Sequence, residues 1–181
     1  SNSLDVFYAL YLRLKDRLDI KKAGFYVANL PVYEEFCRRH PTFEQEHPVL
    51  KEWEIYEKAS KTRPDLALIR EYEGNIGDPT LWSPVVTDRR LYMGSKSTFR
   101  QDYRPQFSFD ETLSVMTVAL KDIDALFADV NPGLVCTMYT ATFGDCLAHL
   151  FAESRGIRAL DLRLSRLRNC VSFVDGVKEP P

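Results

Sequence analysis

The sequence predicts an α/β domain whose open, mainly parallel sheet is flanked by helices. Three stretches carry that reading. Between Leu134 and Leu162 a short apolar, partly β-branched run (Leu134 to Met138) is followed by a helical stretch, Thr142 to Arg155, with Leu147, Leu150 and Phe151 on one side. A second short run, Ile157 to Leu162, comes after Gly156. Strand, helix and strand joined by short links form a unit that lays its two strands parallel, with a right-handed crossover. Upstream, Ser108 stands three residues ahead of Glu111 at the head of a long apolar-periodic stretch, which is the signature of a capping box. Nearer the amino end, Ala23 to Ala28 reads as a further strand, and Asn29-Leu30-Pro31 turns the chain into a helix that starts on Pro31.

Taken in order, Leu4, Phe7, Tyr8, Tyr11, Leu12, Leu14 and Leu18 recur mostly at three- and four-residue steps and predict a helix from Leu4 to Leu18, with Arg13, Lys15, Asp16 and Arg17 on its solvated face. The helix that starts at Pro31 is expected to run to about His40, and Pro41 to Pro48 to form a loop. Val49 to Lys61, with Leu50, Trp53, Ile55 and Tyr56, reads as a charged helix. Leu66 to Glu73 fits either a buried strand or a helix by periodicity; Asp65 as N-cap and Gly74 as stop favour the helix. Residues 74–106 change character: turns and short helical pieces, then an aromatic and arginine-rich segment. A long irregular stretch of this kind inside a domain is commonly functional, and its aromatic content is too high for a linker. The Ser108 helix buries Leu113, Val115, Met116, Val118, Ala119, Ile123, Leu126 and Phe127, and Asn131-Pro132-Gly133 stops it. Arg166 to Val174 adds a strand. Residues 1–174 thus read as a single domain, and 175–181, polar and proline-ended, as the start of an interdomain linker.

The bulk composition narrows function. At 181 residues the chain is long enough to bury about 70% of its unfolded surface in one core. A hydrophobic content of 45%, a charged content of 28% and a net charge of −2 suit a globular protein and speak against a nucleic-acid binder. No apolar run approaches ~18 residues, so no transmembrane segment is expected, which leaves room for peripheral membrane association. Cys37, Cys136, Cys146 and Cys170 form no CxxC pair, two of them lie in the apolar strand–helix–strand unit, and a cytoplasmic, reducing location is expected. His40, His47 and His149 lack metal-ligand spacing; no metal is expected, and His149 reads as a helix-packing residue.

Ligands of open α/β sheets bind beyond the carboxyl ends of the strands. Here that place is the turn Tyr139, Thr140, Ala141 and Thr142, where the opening amides of the next helix favour an oxygen-rich group by ~0.3–1 kcal/mol from the dipole alone. Beside that reading stands a plainer one, in which Thr140 or Thr142 simply caps the helix. A second candidate is Asp88, Arg89 and Arg90 with Lys96 and Arg100, since guanidinium groups grip carboxylates and phosphates bidentately and Trp82, Tyr92, Phe99 and Tyr103 offer faces for sugar rings. The plainer account is a loop pinned by aromatic anchors and weak surface ion pairs. Arg163, following the last strand of the unit, is a third candidate, set against a charged face shared with Arg166 and Arg168. No phosphate loop, dinucleotide fingerprint or nucleophile elbow occurs, and no nucleophile–base set can be assembled by spacing.

Several of these residues occur in a familiar order: Pro79-x-Leu81-Trp82, Asp88-Arg89, a long helix, Val130-Asn131-Pro132-Gly133-Leu134-Val135, then a helix ending Ala152-Glu153-Ser154-Arg155-Gly156-Ile157. From about Leu50 to Arg163 this resembles the amino-terminal half of surface or capsular polysaccharide biosynthesis proteins, which are similar to GT-B glycosyltransferases. The family's turn is close to Lys-Pro-Asp-hydrophobic, and this chain has Asn131-Pro132-Gly133-Leu134 in its place. The resemblance implies a Rossmann-like, acceptor-side domain that is inactive alone and meets a sugar or glycan acceptor. The nucleotide-sugar donor would sit on a C-terminal domain of the same parent chain, leaving no cofactor in this one. Two other functions fit the same residues: a non-catalytic carbohydrate- or small-molecule-binding module, and a protein-interaction domain of a polysaccharide-assembly complex.

Overall fold

The computed structural model describes residues 3–77, 80–88, 91, 107–140, 142–164 and 170–175. Among these the chain runs α1 (Ser3–Leu14), β1 (Phe25–Val27), α2 (Leu30–Arg39), α3 (Phe43–Glu46), β2 (Val49–Lys51), α4 (Glu52–Ala59), α5 (Leu66–Ile76), α6 (Trp82–Thr87), α7 (Phe109–Val130), β3 (Leu134–Met138), α8 (Phe143–Ser154), β4 (Arg158–Leu164) and β5 (Val171–Asp175). The architecture is mixed α/β.

The axis of the core is α7. Its capping box is complete: Glu111 N–H donates to Ser108 Oγ (3.3 Å), and Ser108 N–H donates to Glu111 Oε2 (2.7 Å). Val115, Met116, Ala119, Leu120 and Ile123 are almost fully buried against residues of α4, α5 and α8. The helix ends because Asn131 itself takes the left-handed conformation (φ 47°), ahead of the Pro132-Gly133 pair.

A second, aromatic cluster joins α1, β1, α2 and α3. Phe36 and Phe43 are its fully buried centre, with Tyr8, Phe25 and His47 around them. α1 ends at Leu14, short of the expected Leu18. Asn29 Oδ1 accepts Val32 N–H (3.2 Å) and opens α2, with Pro31 in its first turn.

Three further boundaries differ from the sequence reading. The loop expected over Pro41 to Pro48 contains the single turn α3, and Phe43 is its buried anchor. Val49 to Lys51, read as the start of a helix, is instead the strand β2; its three residues pair with β1, a tertiary contact that no local period reports. Helix α5 begins as expected, with Asp65 Oδ1 accepting Leu68 N–H (3.0 Å), but runs through Gly74 and stops at Gly77 (φ 72°). A mid-helix glycine costs only ~1 kcal/mol, which packing overrides; a left-handed residue ends a helix outright.

The strands divide between two sheets instead of the single open sheet expected. β1 and β2 pair in parallel, Phe25 opposite Val49; β3 and β4 pair in parallel, Leu134 opposite Arg158; β5 is antiparallel to β4, Phe173 opposite Leu162. Gly24, just before β1, lies against Val130, just before β3, while Tyr26 within β1 reaches Gly144, just after β3. β1 and β3 belong to separate sheets, with no ladder between them. The strand–helix–strand unit β3–α8–β4 matches the sequence reading closely. Among the described residues no helix is long and apolar enough to cross a membrane.

Candidate functional site

The chain leaves β3 through two consecutive left-handed residues, Tyr139 (φ 63°) and Thr140 (φ 41°), neither of them glycine. Such conformations cost free energy and are held only where the surroundings fix them. Here the fixing is visible on the Thr140 side. Thr140 is buried, its hydroxyl oxygen lies 3.4 Å from that of Thr137, and its carbonyl accepts the Cys146 thiol (3.0 Å). Thr137 in turn donates to Asp161 Oδ1 (3.4 Å), and Asp161 Oδ2 accepts Arg163 Nε (2.8 Å). Asp161 is fully buried, so the Arg163 guanidinium supplies its counter-charge. Arg163 is thereby committed within the sheet and does not line the crevice that the sequence reading gave it.

The amino end of α8 is also closed by the protein's own groups. Thr142 is its N-cap, with Oγ1 accepting Asp145 N–H (3.1 Å), and the buried carboxylate of Asp88 accepts Phe143 N–H (2.8 Å) through Oδ2. The expectation that these amides open onto a ligand is corrected at both positions: their donors are taken. Asp88 acts as a long-range cap on α8. Arg89, Arg90, Lys96 and Arg100 lie outside the described residues. The thiols here are unreactive: burial first, then the nearby carboxylates of Asp145, Asp88 and Asp161, push Cys146 up to about 12, and burial raises Cys136.

What opens beside this turn is a groove of about 940 Å³ between α1 on one side and β1 and β3 on the other. Tyr139, half exposed, and Thr142 line its carboxyl-end mouth together with Asn29 and Asp145. Its length is apolar, with Phe7, Leu10 and Leu14 from α1 facing Leu134, Cys136 and Met138 from β3. So of the five described candidates, two (Tyr139 and Thr142) line the groove and three (Asp88, Thr140 and Arg163) do not, and the groove itself is mostly built from residues assigned to the core.

One polar cluster escaped the sequence reading. Glu52, buried at the first turn of α4, accepts the hydroxyls of Tyr26 (2.5 Å, Oε2) and Tyr56 (2.9 Å, Oε1). Burial, and then the Glu52 charge, raise the Tyr26 phenol well above its ordinary range, so it remains a neutral donor. The Tyr26 ring lies directly on Gly144, where a Cβ would come within 2.0 Å of it. The one local sign was Glu52 and Tyr56 four apart on a helix; the third member, Tyr26, lies 26 residues away and leaves no local trace. This cluster ties β1 to the first turn of α8 and thereby sets the mouth of the groove. Among the described residues no three His, Cys, Asp or Glu side chains converge as a metal site. No protein-family model, no curated protein and no solved structure matches the chain.

Proposed function

We propose that this chain is the acceptor-side, N-terminal domain of a glycosyltransferase-like protein of bacterial surface polysaccharide biosynthesis. Its strands then form a Rossmann-like arrangement interrupted between β1 and β3. The observation that supports this is the placement of the groove. β1 and β3 both line it, while their partners β2 and β4 do not. On this reading β2 and β4 lie on opposite flanks of the groove, the relationship that places ligands at the carboxyl ends of strands in doubly wound folds. Tyr139 supplies a partly exposed ring for stacking on a sugar. Asn29 and Thr142 each accept a backbone N–H through oxygen, which leaves the Asn29 amide nitrogen and the Thr142 hydroxyl hydrogen to donate. With two amides of α8 already satisfied, the mouth suits a neutral, hydroxyl-rich acceptor better than a phosphate. The nucleotide-sugar donor belongs, on this reading, to a C-terminal domain of the parent chain, in the cytoplasm.

Titration of the ¹⁵N-labelled chain with methyl glycosides and short oligosaccharides tests the reading. Saccharides should shift the amides of Asn29, Tyr139 and Thr142, nucleotide sugars should not, and Tyr139→Ala should weaken the effect severalfold. Saturable binding of a nucleotide sugar at this mouth, or no response to any saccharide at millimolar concentration, would overturn it.

A further inference from the structure

Helix α1 has two apolar stripes, and one of them has no protein side chains of the aromatic cluster against it. Leu4, Tyr8 and Tyr11 pack into the aromatic cluster, with Tyr8 edge-on to Phe36 and Phe43 and Tyr11 edge-on to Phe25 and His47. Phe7, Leu10 and Leu14, on the neighbouring stripe, are half-buried and line the groove together with Leu4 and Tyr11. Leu18 and Leu134, at its margins, are 59% and 41% exposed. Two facing apolar surfaces held apart around open space are unfavourable for a folded chain unless something occupies the space.

We propose that the groove receives the aliphatic chain of an amphiphile, whose hydroxyl-bearing head sits at the carboxyl ends of β1 and β3. The head's placement rests on the acceptor-side reading above; the chain site rests on the groove alone. The polarity of the lining has a direction that matches such a molecule. Its length is apolar, its carboxyl-end mouth carries the hydrogen-bonding groups of Asn29, Thr142 and Asp145, and the lysines at the other end are already paired, Lys21 with Asp19 and Lys22 with Asp129. Size agrees with such a molecule. The groove's 940 Å³ lies within the range of sites that take one small ligand, about 300–1,000 Å³.

Calorimetry of the chain with methyl, octyl, decyl and dodecyl β-glucoside, each below its micelle concentration, tests this. One molecule should bind per chain, tightening about fourfold per methylene, the fold-change corresponding to burial of a CH₂ group. Leu10→Trp, which fills the groove, and Leu14→Gln, which makes its wall polar, should each remove the chain-length dependence while circular dichroism and Tm stay near those of the wild type. Affinity that is flat along the series overturns the proposal, even where the methyl glycoside shifts the Tyr139 and Thr142 amides and so leaves the acceptor reading standing. Fatty acids of equal chain length should bind less tightly than the glucosides; if they bind equally, the chain site holds and the head assignment fails. Dimerisation of the unliganded chain that Leu10→Trp abolishes would identify a second copy as the occupant and overturn the proposal.

Discussion

The carboxylate of Asp88 accepts the backbone N–H of Phe143 at 2.8 Å, across 55 residues of sequence, and both groups are buried. A charged acceptor at the positive end of a helix macrodipole is among the stronger single hydrogen bonds a fold contains. Removing it strands a buried amide. Asp88→Ala should therefore destabilise the chain by about 2–3 kcal/mol in urea unfolding, whereas Asp88→Asn, which keeps an acceptor oxygen, should cost about half as much. Equal losses in the two variants would mean that the charge, and not the acceptor, carries the effect.

Gly144 and Tyr26 are coupled by space. An alanine Cβ at 144 would come within 2.0 Å of the Tyr26 ring, and that ring is held from its far end by Glu52. Gly144→Ala should cost about 1–3 kcal/mol or more by overpacking, despite alanine's better helix propensity. In combination with Tyr26→Ala the penalty should largely vanish, giving a favourable coupling of about 1–3 kcal/mol in a double-mutant cycle. An additive pair would show that β1 and α8 do not press on each other here.

His47 makes stability depend on pH. It sits within the aromatic cluster beside Tyr11, Phe25 and Phe43, and among the described residues its Nε2 has no hydrogen-bond partner. Burial lowers its affinity for a proton below the usual 6.5, with Lys15 acting in the same direction and the Ala23 backbone and Glu46 opposing. Between the lowered folded value and 6.5 the unfolded chain binds more protons than the folded one, so stability falls as pH falls through this window and levels off below it. The slope cannot exceed about 1.4 kcal/mol per pH unit for one group. His47→Phe should flatten it. The lowered carboxylates, Glu44 held chiefly by Lys51 and Asp175 by Arg158, lose their contribution only at more acid pH, so the two effects separate in a pH series of urea midpoints.

How much of this was legible in the sequence follows from which interactions are local. The Ser108–Glu111 box, the Asp65 and Thr142 caps, the β3 strand and the α8 helix with its Gly156 turn (φ 64°) all rest on residues within a few positions of one another, and each reads off the chain. β2 did not, because three residues define it only by pairing with β1. Neither did the division of the strands into two sheets, since pairing between distant strands leaves no local period. Thr142 and Tyr139, singled out by the rule about strand ends, both line the groove. The bond from Asp88 to the amide of Phe143 was not foreseen, since nothing local points from residue 88 to residue 143. The groove was invisible for a related reason: Phe7, Leu10 and Leu14 have the same helical period as Leu4, Tyr8 and Tyr11, and periodicity cannot say which stripe finds a neighbour.

Asn131 offers a test of how α7 hands the chain to β3. It adopts φ 47°, ψ 61° as the C-cap, and its N–H donates to Phe127 O at 2.8 Å. The left-handed region costs an ordinary L-residue roughly 1–2 kcal/mol, less for asparagine and nothing steric for glycine. Asn131→Gly should then leave stability within about half a kcal/mol of the wild type, while Asn131→Ala should cost about 1 kcal/mol and Asn131→Val more. The ordering Gly, Ala, Val in urea midpoints is the readout. Because β3 begins three residues later and lines the groove, Asn131→Val should also weaken dodecyl glucoside binding, whereas Asn131→Gly should not. If valine is tolerated as well as glycine, the left-handed turn does not set the start of β3.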